Sequence, residues 1–488
     1  LLFNSYAFIL CFLPLTLIVL ATLNRKGWAS QAKTGLVLAS LVFYGFWDLR
    51  ALPVLLFSVF FNHWAAVRIG AAVPGGLPRR RFLVLGVAVN LLLLGFFKYA
   101  DFFLANAGTL AGTHFAPLGI AAPLGISFYT FMQIAYLADI SRGSGRPGSL
   151  ADDALFGSFF PYIASGPIVR HDALTSQFGG SSGLRVTAEN LARGLFLFSL
   201  GLFKKTALAD NLAVTATGGF DSAPTLNFME AWLTSLSYTF QLYFDFSGYT
   251  DMALGVALML GITLPANFLS PYKAVSLRDF WRRWHITLST FLRDYLYIPL
   301  GGNRKGEART YGNLLATFLL CGLWHGAAWT FVFWGFLHGM GMVVQRLWDR
   351  TGIHMHRALA WFVTFNFINV AWVFFRAREW GDALKVLKGM CGLNGFVLSK
   401  NLAEVLLVRE LAGLGVQFGQ WHEHLPKAPT HLYLLCLAAI PLVLLTRNSN
   451  ELSDRFTPNW KTATAFAFFA AWGLLSLNRA SVFLYFNF

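Results

Sequence analysis

Two histidines stand where an ordinary membrane span would exclude them. Residues 313–341 read NLLATFLLCGLWHGAAWTFVFWGFLHGMG, apolar almost throughout, with His325 in the middle and His338 near the end. Ionisable side chains are expensive inside a bilayer and persist mainly where chemistry uses them. Imidazole is also the side chain best matched to proton transfer near neutral pH. Around His325 the residues Gly322, Gly326, Ala327 and Ala328 are small, which fits either close helix contact or room for a substrate. The competing reading is a histidine hydrogen-bonded across a helix interface. Forty residues earlier His285 lies in RRWHITLS, among arginines and tryptophans, where an interfacial histidine of a basic helix is the plain alternative. His338 follows His325 by 13 positions, about 1,300° of rotation on an unbroken helix, so it is expected to point elsewhere.

Several other chemistries lack their motifs. GGNRKG at 301–306 is not the GxxxxGK[ST] phosphate loop, and there is no HExxH zinc helix or CxxCH haem site. The four cysteines, at 11, 321, 391 and 436, are scattered in apolar context, form no CxxC pair and suggest no metal centre. A general-base histidine is then the simplest engine, accepting a hydroxyl proton as that oxygen attacks a thioester carbonyl. A second histidine or a tyrosine steadies the oxyanion or orients the acceptor. Arg282 and Arg283 suit the phosphates of an acyl carrier, unless they only anchor an interfacial helix by snorkelling. The insert QLYFDFSGYTD places Tyr243, Asp245 and Asp251 in an apolar run, as a helix break or as part of a water-lined site. Trp324, beside His325, is a further candidate for a donor or acceptor tunnel.

The elements that must position these residues are membrane helices. Of 488 residues 56% are hydrophobic and only 12% charged, against about 25% charged in soluble domains. The +15 formal charge does not indicate nucleic acid, because the basic residues lie between apolar runs, as cytoplasmic loops require. The first apolar run, 3–23, has no basic stretch before it and no cleavage-like site, and is expected to be a retained span rather than a signal peptide. Further runs occupy 34–47, 51–67 and 82–97, then 98–116 with little charge on the outer face, and 117–140 with a polar stripe. Residues 154–169 are short and Gly/Pro-broken, as in a re-entrant segment; 191–203 and 207–217 are marginal, with Lys204 and Lys205 between them. Phe280, Trp284, Leu288, Phe291 and Tyr295 recur at helical spacing and predict one amphipathic helix in the inner interface. Spans follow at 358–375, 431–445 and 462–478, with a mixed segment at 382–424 and an aromatic tail, SVFLYFNF. The expected total is about eleven spans with one or two re-entrant or interfacial helices, all-α, in one membrane-embedded domain over 1–488. No internal repeat is visible.

Five separated stretches resemble, in order, the membrane-bound O-acyltransferase superfamily, above all its bacterial alginate O-acetyltransferase branch. They are PLGISFYTFMQIAYLADI (123–140), YFDFSGYTDMALG (243–255), RDFWRRWHITLSTFLRDYLYIPLGGNRKG (278–306), CGLWHGAAWTFVFWGFLHG (321–339) and FLYFNF. The resemblance implies a ring of spans around a thin centre, with a cytoplasmic tunnel for the donor and an outer cavity for the acceptor. It implies His325 as the general base and His285 as the second polar site residue. It also implies acetyl-CoA or a related acetyl thioester as donor substrate, with no bound cofactor. The expected setting is the bacterial inner membrane, with a periplasmic SGNH-type partner completing transfer onto an exopolysaccharide such as alginate. A secondary transporter of a polymer or acyl precursor, and a scaffold for a polysaccharide-modifying complex, remain the other classes compatible with the residues.

Overall fold

The computed structural model describes residues 1–178, 184–404, 410–425, 430–479, 481 and 483–487. Helices carry nearly all of it. A π-turn, Ala7–Phe12, leads into α1 (Leu13–Arg25); α2 (Ala29–Gly45), α3 (Leu52–Ala71) and α4 (Leu77–Leu94) follow. The helix does not end at residue 98 as expected. A π-turn at Gly95–Tyr99 joins α4 to α5 (Ala100–Ala111), so helix runs unbroken from Leu77 to Ala111. Next come α6 (Ile126–Arg142), α7 (Leu150–Ser158), a buried non-helical stretch over 159–169, and the one-turn α8 (His171–Thr175). The break expected within 154–169 from its glycine and prolines is present from residue 159.

Lys204 and Lys205 do lie between two helices, but in a helical turn and not in a loop. They lie in a π-turn, Lys204–Ala209, between α9 (Ala188–Phe203) and α10 (Asp210–Thr217). QLYFDFSGYTD is no break either, but the middle of α11 (Phe228–Met259), 32 residues long and opened by an Asn227–Glu230 capping box. α9 lies so close along α11 that a Cβ on Gly201 would meet the Gly248 carbonyl oxygen at 2.5 Å. The two π-turn lysines then reach the α11 carboxylates. Lys204 pairs with Asp251 at 2.7 Å, and Lys205 with Asp245 at 2.5 Å and with Asp210 at 2.9 Å. The aromatic tail packs on this centre: Phe483 lies 4.6 Å from the Tyr249 ring, and the Leu484 N–H donates to Asp245 at 2.9 Å. Tail residues 482 and 488 lie outside the described residues.

The predicted single helix over 278–295 is in fact two short ones, α12 (Leu277–Trp281) and α13 (Ile286–Leu292), the latter continued by a π-turn at Arg293–Tyr297. Phe280, Trp284, Leu288 and Phe291 are all buried, so the spacing found the inward residues but not the break. The stretch 313–341 is also two helices, α14 (Glu307–His325) and α15 (Trp329–Thr351), which turn at Gly326–Ala328. Then follow α16 (Arg357–Arg376), α17 (Trp380–Met390), and α18 (Thr430–Leu445), α19 (Ser449–Asp454) and α20 (Trp460–Ser476). The all-α expectation needs one amendment: in 382–424, of which 405–409 lie outside the described residues, β1 (Phe396–Ser399) pairs in parallel with β2 (Val416–Gly419).

Among the described residues four helical runs are long and apolar enough to cross a bilayer: Ala7–Arg25, Leu49–Ala71, Leu77–Ala111 and Arg357–Arg376. α11 falls outside that set for a physical reason. Almost all of it is buried by other helices, so it need not be lipid-compatible and can carry Glu230, Asp245 and Asp251.

Candidate active site

His325 is the last residue of α14, held by a close helix hairpin. A Cβ on Gly335 would fall 2.2 Å from the Phe318 carbonyl oxygen, so α14 and α15 touch backbone to backbone. Gly322 faces the Phe331 carbonyl in the same way, and Gly326 lies against the Phe331 ring. The small residues around His325 thus serve helix contact rather than substrate space. The imidazole is 3% exposed and enclosed by Trp324, Trp334 and Phe375, with ring centroids 4.9, 5.2 and 5.1 Å away.

His285 sits at the break between α12 and α13 with φ 42° and ψ 54°, in the left-handed region that a residue with a Cβ rarely adopts. Asn267 secures it. The Asn267 carbonyl oxygen accepts the Ile286 N–H at 3.0 Å, and its Oδ1 accepts the Thr287 N–H at 3.2 Å and the Thr287 hydroxyl at 3.0 Å. A backbone N–H can only donate, so Oδ1 is an acceptor there, and His285 Nδ1, 3.1 Å away, is the donor. In the neutral ring this leaves the lone pair on Nε2. Such strain at a fully buried polar residue is typical of functional positions.

Trp324 lies between the two histidines, with its indole 6.3 Å from His285 and 4.9 Å from His325. His338 is nearer than its spacing implied, because the helix is interrupted between them and the rotation count does not apply. Trp334 intervenes, 4.7 Å from His338 and 5.2 Å from His325, and Trp281 Nε1–H donates to His338 Nδ1 at 3.2 Å. His338 is therefore held in the aromatic wall and does not contact His325 directly.

Two cavities flank this cluster. One, of about 460 Å³, is lined by Arg170, Gln177, Thr263, Thr287, Phe291 and Tyr295, among others. Thr287 connects it to His285 through Asn267. The other, of about 90 Å³, is lined by Lys98, Ser127, Phe128 and the turn before α6. Phe128 touches both Trp324, at 5.4 Å, and His285, at 6.4 Å. The remaining sequence candidates lie elsewhere. Arg282 is exposed, and Arg283 is tied to Asp279 at 2.8 Å and to the Leu269 carbonyl at 3.3 Å; neither lines the large cavity. Asp245 and Asp251 face the lysines of the π-turn, and Tyr243 borders a separate space beside Lys204 and Ser449. Among the described residues no cluster of His, Cys, Asp and Glu suits a metal ion.

Sequence reasoning missed Asn267, Arg170 and Lys98. Asn267 and Arg170 have no local signature. Lys98 had one, a lone cation within FFKYADFF, but it was read as a loop charge.

A polar clasp stands behind the large cavity. Asp153, 3% exposed, meets His63 Nδ1 at 2.7 Å and His171 Nε2 at 2.8 Å, and accepts the Tyr136 hydroxyl at 3.0 Å. His171 also meets Asp172 through Nδ1 at 2.9 Å. Burial alone would lower the His171 pKa, but the two carboxylates outweigh it and hold the ring protonated above its usual range. A raised folded-state pKa contributes stability that is fully present below the unfolded value of about 6.5 and is lost as pH rises through the folded value. Asp153→Asn should therefore lower the melting temperature of the detergent-solubilised protein, through a loss of about 3 kcal/mol. The gap from wild type should be wider at pH 6 than at pH 9. An equal gap at both would overturn the ion-pair reading.

The chain belongs to the membrane-bound O-acyltransferase family, whose model matches residues 113–378, and is thus an O-acyltransferase of the inner membrane. It is 44% identical to a peptidoglycan O-acetyltransferase of Helicobacter pylori, over 100% of this chain and 98% of that one. It is 40% identical to a probable alginate O-acetylase, AlgI, of Pseudomonas putida, over 82% of each. A teichoic acid D-alanyltransferase of Streptococcus thermophilus is 28% identical over 52% of this chain and 68% of its own length. The likeness therefore extends to both peptidoglycan and alginate O-acetyltransferases, and is broader than the alginate branch alone.

Proposed function

We propose that the protein takes acetyl from a cytoplasmic thioester, acetyl-CoA, and delivers it across the membrane for O-acetylation of a cell-envelope polysaccharide, with a periplasmic SGNH-type partner completing the transfer. The observation that carries this reading is a set of contacts that link His285 to one cavity through Asn267 and Thr287, and link His285 and the His325 carbonyl to a second through Phe128 and Lys98. We take the large cavity, whose one charged lining residue is Arg170, as the cytoplasmic one. Its apolar walls with scattered threonine and glutamine groups suit a pantetheine arm, and Arg170 suits the phosphates behind it.

In the reaction the acceptor hydroxyl gives its proton to His325 as its oxygen bonds to the thioester carbonyl carbon. The C–S bond then breaks, and the thiolate recovers that proton as free thiol. His285, fixed by Asn267 beside this centre, is suited to orient the acceptor. Full-length likeness to a peptidoglycan O-acetyltransferase supports a cell-wall glycan as the first acceptor to test, with alginate second.

The test uses purified protein in sealed vesicles, with labelled acetyl-CoA on the Arg170 side and the glycan and an SGNH partner on the other. Label in the glycan is expected, and donor consumption without label crossing would overturn the reading. In the same assay Arg170→Ala should raise KM for acetyl-CoA about tenfold, the equivalent of one lost charge-assisted contact, while kcat stays within about twofold. Arg282→Ala should leave KM unchanged. A KM increase in the Arg282 variant alone would move the phosphate site to that face.

A further inference from the structure

Helix α14 ends at its catalytic residue, and the end of a helix leaves its last carbonyls without partners. Here a neighbouring helix supplies them. The Tyr99 hydroxyl donates to the Leu323 carbonyl at 2.9 Å, and Lys98 Nζ donates to the Trp324 carbonyl at 2.5 Å and to that of His325 at 3.2 Å. The third Lys98 N–H reaches Ser127 Oγ at 3.2 Å. Both donors come from the π-turn Gly95–Tyr99, and such turns insert an extra residue into a helix, frequently at functional sites. Two successive side chains thereby meet three successive carbonyls more than 220 residues away.

A neutral group would satisfy those carbonyls equally well, yet an ammonium is used. The other interior lysines have carboxylates: Lys204 has Asp251, and Lys205 has Asp245 and Asp210. Among the described residues no carboxylate pairs with Lys98, whose three N–H groups are taken by two carbonyls and a hydroxyl. An uncompensated cation in the membrane interior is costly and is retained where its charge is used. Lys98 also lines the small cavity, which the proposed reaction assigns to the acceptor.

We infer that Lys98 is a positioning residue for His325: it clamps the C-terminal end of α14 so that the imidazole is held in register with the acceptor cavity, and it sets a positive charge where the negative charge of the transfer step develops. The inference rests on the proposed acyl transfer at His325. Charge aimed in advance at a developing oxyanion acts on turnover rather than on donor binding. The backbone clamp works through the helix end and the ammonium through space, so the two roles make separable demands on a replacement side chain.

The experiment compares Lys98→Met, Lys98→Arg, Lys98→Ala and Tyr99→Phe with wild type in acetyl-CoA turnover by the vesicle-reconstituted full chain, with His325→Gln alongside. Lys98→Met should lose about a hundredfold in kcat with KM for acetyl-CoA within twofold, the range seen when one such electrostatic group is removed. Lys98→Arg should recover most of that loss, and Tyr99→Phe should lose less than about tenfold, since it removes one neutral hydrogen bond. Added ethylamine should restore turnover to Lys98→Ala, an effect that a purely structural role would not give. Wild-type kcat in Lys98→Met overturns the inference, as does a rise in KM alone, or a Lys98→Ala variant that folds and does not respond to amine. Should Lys98→Met fail to fold, an active Lys98→Arg together with amine rescue of Lys98→Ala supports the inference, and an inactive, folded Lys98→Arg overturns it. An inactive His325→Gln with an unaffected Lys98→Met defeats only the lysine's role, whereas an active His325→Gln defeats the base assignment beneath it.

Discussion

His325→Gln is expected to abolish acetyl transfer while the protein still accumulates folded in the membrane. A positioned general base contributes about 10²- to 10⁴-fold, or roughly 3–5 kcal/mol of barrier at 1.36 kcal/mol per tenfold. The rings around His325, those of Trp324, Trp334 and Phe375, carry no group able to take a proton at neutral pH. His285 does carry one, but its Nδ1 is committed to Asn267 and its backbone is fixed by the Ile286 and Thr287 bonds, so it cannot swing across to substitute. Glutamine keeps polarity and most of the volume, which limits cavity formation in the aromatic wall. Turnover of labelled acetyl-CoA and the melting temperature are measured on the same preparation. A folded variant retaining more than about a tenth of wild-type kcat would remove His325 from the role of base.

The second large effect is on stability. Lys205→Met should destabilise the protein by about 3–5 kcal/mol, because it leaves Asp245 and Asp210 without their cation in the interior. Lys205 and Asp245 are each about 1% exposed, so water cannot take the missing partner's place. Among the described residues Asp245 keeps the Leu484 N–H and Asp210 keeps Ser481, neither of which neutralises a carboxylate. Adding Asp245→Asn to Lys205→Met should recover part of the loss, since a neutral pair needs less compensation. Melting in detergent measures both. Because this pair faces α9 and not the histidines, turnover per folded molecule should stay near wild type. A Lys205→Met protein that melts like wild type would show that the pair contributes little.

How much of this was legible depends on where each residue's partner lies. His325 and His285 could be found because imidazoles in apolar sequence stand out locally. The inward residues of 278–295 could be found from their period of three to four. The break inside that stretch could not, since nothing in RRWHIT, with neither glycine nor proline, announces a left-handed residue; tertiary bonds from Asn267 impose it. The lysines show the opposite failure. Lys98, Lys204 and Lys205 interrupt apolar runs, where a charge ordinarily marks a loop. Their partners are remote in sequence: Trp324 for Lys98, Asp251 and Asp245 for the others. Asp245 and Asp251 were nominated for the site on the sound premise that buried carboxylates need partners, and their partners turned out to be these lysines. The interrupted helix between His325 and His338 was hidden for a simpler reason, as Gly326–Ala328 is as apolar as its flanks.

The left-handed backbone at His285 sets two forms of fitness against each other. A histidine held at φ 42° pays about 1–3 kcal/mol that glycine or asparagine would largely avoid. Stability alone would therefore favour replacing it, and only turnover argues for keeping the imidazole. A library of this protein selected for heat resistance would lose His285 early, and one selected for glycan acetylation would hold it and accumulate compensating gains elsewhere. Position 285 is thus a place where the history of selection on a chain of this fold can be read from a single residue.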